Sequence, residues 1–179
     1  MKILSPLQND VFLNSIQRKP VITQKFGEDF LLQGKYYYKS LGLKGHNGID
    51  FRAKVGIPVF ASFNGIITSG NDGNKGYGLH IKHRGSEVAR EACYAHLSKI
   101  LVKTGSSVNI GDIIGISGVS GAATGPHLHF GVRRLQPANT DIWGWSVRDY
   151  ENGFYGYFDN LADMITWRGS LTEKILQLV

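Results

Sequence analysis

At 179 residues and 42% hydrophobic composition, the chain is long enough to bury one real core, and 23 glycines against 5 prolines call for many tight turns between short elements. A net charge of +6 favours anionic partners in a general electrostatic sense, but no arginine-rich helix, zinc-finger spacing or RNA-binding aromatic motif supports nucleic acid as one of them. The single cysteine excludes an internal disulfide, and no stretch approaches 18 consecutive apolar residues, so no membrane-spanning helix is expected.

In chain order, residues 1–20 read as an N-terminal extension. Its first ten residues lack a continuous apolar run and a cleavage site, so no signal peptide is expected. From residue 21 to 160 the chain reads as one predominantly β domain. Short β-branched runs such as Ile49–Arg52, Val59–Phe63, Gly65–Thr68, Leu79–Lys82, Ile113–Ile116 and Leu128–Val132 are separated by Gly, Asn, Asp and Ser. His80 and His83 differ by an odd number, so on a strand they face opposite ways and cannot share a metal. His83, just before Arg84 and Gly85, marks the end of a strand at a hairpin turn. In Tyr94-Ala95-His96-Leu97-Ser98, alternation places Tyr94 and His96 on one face and Cys93 and Ala95 on the other, which makes His96 a candidate for a cleft and Cys93 a small buried filler turned away from it.

Two further pieces carry metal-binding chemistry. In an extended strand His127 and His129 project together, while Leu128 and Phe130 point into the core. His46 and Asp50 would lie about 13 Å apart on a straight strand, but Gly45 and the Asn47-Gly48 pair let the chain turn and bring both onto one ion. Imidazole and carboxylate suit zinc, and three protein ligands would leave a fourth position for water or substrate. Any such centre would still need a general base. No His-Glu-x-x-His helix exists to supply a glutamate, so histidine must fill that role.

The order of these blocks resembles the lysostaphin and LytM type of zinc metallopeptidase, the M23 family. The similarity extends through Val21–Gly27, Pro58–Ile67 and Val102–Gly118 to His129, which is most of the chain. The resemblance implies an antiparallel β-sandwich or barrel-like domain in which His46, Asp50 and His129 bind Zn2+ while His96 and His127 stay off the metal and act in catalysis. Which of those two is the base stays open. It further implies a monomeric endopeptidase that cuts peptidoglycan at the bacterial cell wall, outside the cytoplasm, at either glycine bridges or D-alanyl cross-links. Without a signal peptide, a phage-type release is the expected route. Two other readings are a zinc-free LytM-like domain that activates a cell-wall amidase and a phosphocarrier with paired histidines; the complete set of ligands argues against the first.

The segment after the last ligand departs from the family. Arg134–Asp159 reads as an expanded hairpin with an insertion over about 135–153, Asn152-Gly153 as turn residues and Phe154–Asp159 as the returning strand. Trp143, Trp145, Tyr150 and Tyr155 either line a substrate groove or cap the edge of the fold. Over 161–179 the spacing of Leu161, Met164, Ile165, Leu171, Ile175 and Leu178 predicts a short C-terminal helical tail packed on the domain.

Overall fold

The glycine-punctuated apolar runs become short antiparallel strands, because β-branched and aromatic side chains pack well on a pleated surface and the intervening Gly, Asn and Asp residues accept turn geometries. The computed structural model describes residues 3–7, 20–138, 144–159 and 164–165. In order, its elements are β1 (Ile3–Leu4), β2 (Ile22–Gln24), β3 (Leu31–Leu32), β4 (Lys35–Tyr36), the single helical turn α1 (Tyr37–Ser40), β5 (Ile49–Arg52), β6 (Pro58–Phe60), β7 (Gly65–Asn71) and β8 (Leu79–Gly85). There follow β9 (Arg90–Ala95), β10 (Leu97–Ile100), β11 (Ser107–Val108), β12 (Ile113–Ser117), β13 (His127–Pro137), β14 (Trp145–Val147), β15 (Tyr157–Phe158) and β16 (Met164–Ile165).

The main sheet runs β11-β7-β8-β9-β13-β5-β2, and a smaller sheet runs β10-β12-β6. Alternation along the main strands sends Ile49, Phe51, Ile81, Ala92, Tyr94, Leu128, Phe130 and Val132 into one buried cluster with Val59, Leu97 and Ile114 of the smaller sheet. The core therefore lies between two sheets, a sandwich whose main sheet ends at β11 and β2 without closing into a barrel. Residues 3–7 join this body: Leu4 donates its amide to Ser62, Phe60 donates to Pro6, and Leu4 and Leu7 are buried. Met164 and Ile165, in the stretch read as a helical tail, instead pair in parallel with Ile3 and Leu4; the rest of that tail and Trp143 lie outside the described residues.

The opposite face of the main sheet carries the polar residues. His129 sits opposite Ala95, Gly131 opposite Cys93 and Arg133 opposite Glu91, so all six side-chain positions share that face. This reverses the expectation for Cys93. Tyr94 points into the core, where its hydroxyl accepts the Ser62 amide, and Cys93 lies on the same side of the sheet as His129, buried under Tyr157. His96 escapes the alternation because the strand ends at Ala95 and His96 takes a left-handed backbone conformation, φ 60°. Its imidazole is thereby turned to the face that strict alternation denies it.

His80 and His83 do point to opposite faces. His83 is fully buried, stacked on Phe63 at 4.3 Å, with Nδ1 3.2 Å from the Tyr94 hydroxyl, and burial pushes its pKa down to about 4. A depressed folded pKa makes the stabilisation complete above the unfolded value of about 6.5 and progressively lost as pH falls towards about 4, because the unfolded chain takes up the proton first. Denaturant unfolding at pH 6.5, 5.5 and 4.5 should therefore show wild type losing more stability over the window than His83→Gln, by up to about 3 kcal/mol. Equal losses would show that His83 protonates in the folded state without penalty.

Candidate metal centre

Strand pairing assembles the centre from distant segments. β13 pairs with β5 so that His129 lies opposite Asp50 and His127 opposite Arg52, which places both strand histidines beside the carboxylate. His46 arrives from the loop preceding β5. Its amide donates to Glu28 and its carbonyl accepts from Gly27, which ties that loop to the segment after β2. Gly48 is required by close approach: a Cβ there would lie 2.5 Å from Cε1 of His129. Gly48→Ala should accordingly displace the His129 ring and lower the affinity of the donor cluster for a divalent metal, measured by metal titration; unchanged affinity would mean that the loop relaxes freely.

The three donor atoms form a nearly equilateral ring. His46 Nε2 and His129 Nδ1 lie 2.9 Å apart, His129 Nδ1 and Asp50 Oδ1 3.1 Å, and His46 Nε2 and Asp50 Oδ1 3.2 Å. A tetrahedral ion with bonds of about 2.0–2.1 Å needs donors about 3.3–3.4 Å apart, so a small expansion of this ring would make it a zinc site. The chemistry of the donors points the same way. His46 Nδ1 donates to the Lys25 carbonyl, 3.2 Å away, so its Nε2 bears a lone pair. With the carboxylate oxygen and the second imidazole, lone pairs crowd one buried point, an arrangement that calls for a cation. Burial opposes the charge on Asp50, but the adjoining His129 and His46 outweigh it and hold the carboxyl far below the ordinary carboxylate range.

Two more imidazoles stand at this ring without joining it. His127 Nδ1 donates to the Gly125 carbonyl at 2.8 Å, and His96 Nδ1 donates to the Ser120 carbonyl at 2.8 Å. Because a carbonyl can only accept, each ring carries its proton on Nδ1 and its basic lone pair on Nε2. The Nε2 of His127 lies 3.5 Å from Asp50 Oδ2, and the centroids of the His96 and His127 rings are 4.7 Å apart. Burial, reinforced by the neighbouring His129 and His127, pushes His96 down to about 4, so it is neutral and able to accept a proton at neutral pH.

These five residues form the floor of a groove with a cavity of about 510 Å³. One wall is aromatic and aliphatic, built from Phe30, Tyr37, Tyr38, Leu41 and Leu43, with Tyr155 at its end; the other is smaller and more polar, with Asp72, Gly76, Ala122 and Thr124. Reading motifs alone overlooked this wall and two tyrosines that brace the ligands. Tyr77 lies against His129 at 5.2 Å and accepts a hydrogen bond from Asn47 at 2.8 Å, while Tyr38 packs on His46 at 5.2 Å and donates to Gln24 at 3.1 Å. The run Tyr36-Tyr37-Tyr38 and the Gly76-Tyr77-Gly78 turn were the available signals, since a tyrosine joins a large apolar face to a hydroxyl that takes a partner when buried.

The expected insertion is only partly a simple hairpin. β13 is long enough for its second edge to be served in turn by β5, then by β15 at Val132 and Arg133, and then by β14 at Leu135, Gln136 and Pro137. The returning segment is thus split: β14 comes back first, residues 148–156 make a compact excursion, and of the expected returning strand the pairing residues are Tyr157 and Phe158. Tyr155 reaches the groove, whereas Trp145 sits half-buried on β14, apart from the groove lining.

Known proteins share much of this sequence. ShyA of Vibrio cholerae, named a peptidoglycan DD-endopeptidase, is 43% identical over 96 residues, covering 52% of this chain and 22% of that protein. ALE-1 of Staphylococcus capitis, named a glycyl-glycine endopeptidase, is 44% identical over 92 residues, covering 50% of this chain and 25% of that protein. The chain therefore spans a quarter or less of the length of these relatives. Among solved structures, the catalytic domain of the antimicrobial peptidase lysostaphin from Staphylococcus simulans superposes with a TM-score of 0.54 at 30% identity, covering 75% of this chain and 92% of that one. The profile of peptidase family M23 matches residues 44–141, more than half of the sequence and a span that holds all five site residues, and the chain accordingly belongs to that family.

Proposed function

We propose that the protein is a zinc-dependent endopeptidase that hydrolyses peptide bonds in bacterial peptidoglycan at the cell wall, with His46, Asp50 and His129 holding the metal and His96 and His127 moving protons. The observation that carries this reading is the pair of Nε2 lone pairs, each fixed by a backbone carbonyl on its Nδ1, beside a ring of three donors. Bound in the ring, zinc would supply Lewis acidity to the scissile carbonyl and lower the pKa of water.

The chain's own residues supply the rest. The groove holds the peptide across the ring, and its aromatic wall excludes bulk water from one side. An imidazole at Nε2 takes the proton of the attacking water and passes it to the leaving amine, and its Nδ1 bond to Ser120 or Gly125 keeps the ring in the tautomer that can do so. Two rings this close disfavour double protonation, which promotes release of the proton once it has been accepted. The names of ShyA and ALE-1, both endopeptidases and one of them acting on peptidoglycan by name, support the substrate class. A zinc-free regulatory domain would have no use for three converging buried donors.

The test is metal analysis and wall hydrolysis on purified protein. About one zinc per chain is expected, with activity lost to a chelator and restored by added zinc. Undiminished hydrolysis by the metal-free protein would overturn the reading.

A further inference from the structure

The excursion between β14 and β15 presents a tyrosine at an energetic cost. Tyr155 adopts φ 53° and Asp149 φ 54°, both in the left-handed region that side chains with a Cβ enter only at a cost. The turn is nevertheless well built. Asn152 Oδ1 accepts the amides of Phe154 at 2.8 Å and Gly156 at 3.1 Å, its Nδ2 donates to Tyr157, and the Phe154 ring is anchored on Phe26 at 4.6 Å. Tyr155 is the residue this framework lifts away from the body. Its ring lines the groove with the donor ring, remains 40% exposed, and stacks at 5.6 Å on Tyr150, itself 47% exposed; its hydroxyl donates to the Leu41 carbonyl at 3.4 Å.

Strain of this kind persists where the surroundings impose it, and a half-exposed ring recovers little of the cost through burial. The wall it completes is made of carbon: Leu41 is 51% exposed beside it, and Leu43, Tyr37 and Phe30 continue the surface towards His46. Such a wall gains most contact from a peptide that presents aliphatic side chains in return. Glycine presents none.

We propose that Tyr155 is a specificity-determining residue that packs against an aliphatic side chain of the bound peptide, so that the groove selects alanyl-bearing cross-links over glycine bridges. This rests on the endopeptidase reading given above.

The experiment compares wild type, Tyr155→Phe and Tyr155→Gly, each loaded with zinc, on a cross-linked stem-peptide dimer carrying alanyl methyl groups and on pentaglycine. Hydrolysis is followed kinetically and binding by calorimetry. Glycine at position 155 relieves the left-handed strain, so Tyr155→Gly should melt at the wild-type temperature or up to about 3 °C higher. It should keep its zinc and kcat but raise KM and Kd for the dimer roughly tenfold, whereas Tyr155→Phe stays near wild type. Wild type should favour the dimer over pentaglycine by roughly tenfold or more, and Tyr155→Gly should lose most of that preference. Unchanged KM and Kd in Tyr155→Gly, or equal losses on both peptides together with a lower melting temperature, would overturn the proposal and leave a structural role. Equal use of the two peptides by wild type would also overturn it. Binding of the dimer without cleavage would instead defeat the endopeptidase reading while the binding contrast still decided the role of Tyr155.

Discussion

Replacing His129 or Asp50 with alanine is expected to empty the metal site and to reduce wall hydrolysis by roughly 10³-fold or more, since both the Lewis acid and the charge that holds it would be lost. His129 Nδ1 is the corner shared by the two shortest edges of the donor ring, 2.9 Å to His46 and 3.1 Å to Asp50, so its removal leaves two donors and no closed ring. Asp50 would supply the anionic ligand, and its carboxylate also faces His127 Nε2 at 3.5 Å. Zinc measured by atomic absorption after gel filtration, beside circular dichroism to confirm the fold, separates loss of a ligand from loss of structure. Asp50→Asn, which preserves shape while removing the charge, should be folded and zinc-poor. Stoichiometric zinc in His129→Ala with an intact fold would place the metal elsewhere.

The second large effect separates proton transfer from metal binding. His96→Ala and His127→Ala should each retain near-stoichiometric zinc and lose turnover by roughly 10²-fold or more, the scale of removing a positioned acid or base. The geometry underlying this is the commitment of each Nδ1 to a carbonyl, Ser120 for His96 and Gly125 for His127, with neither ring part of the three-donor cluster. Their effects should not multiply in the double variant, because two rings 4.7 Å apart would serve one proton path. Loss of zinc in His127→Ala would exchange the roles of the two strand histidines.

How far the sequence reveals this centre depends on the range of the interaction concerned. Alternation within one strand is a local property, so His127 and His129 on one face, Leu128 and Phe130 in the core, and the opposed His80 and His83 could all be read from spacing. The turn that brings His46 towards Asp50 could be read too, from Gly45, Asn47 and Gly48. The same rule misplaced Cys93 and reached His96 through a false step, because alternation holds only while the backbone stays extended; His96 takes φ 60° just beyond the strand end. That a residue leaves the β region there is settled by its contacts, including the Ser120 carbonyl 24 positions away, and not by its neighbours in sequence.

The larger arrangement is decided at longer range still. His46 and His129 are separated by 83 positions and meet only because β5 and β13 pair in one register; a shift of one residue would turn either set of side chains into the core. Residue types therefore carried the three clustered donors, the two further imidazoles beside them and the sandwich class of the fold. Tertiary structure alone decided that Tyr38 and Tyr77 brace the candidate ligands, that a carbon-lined wall stands on one side of them, and that Tyr155 from the excursion between β14 and β15 completes it. Those contacts join segments whose spacing obeys no short period, so no pattern along the chain could announce them.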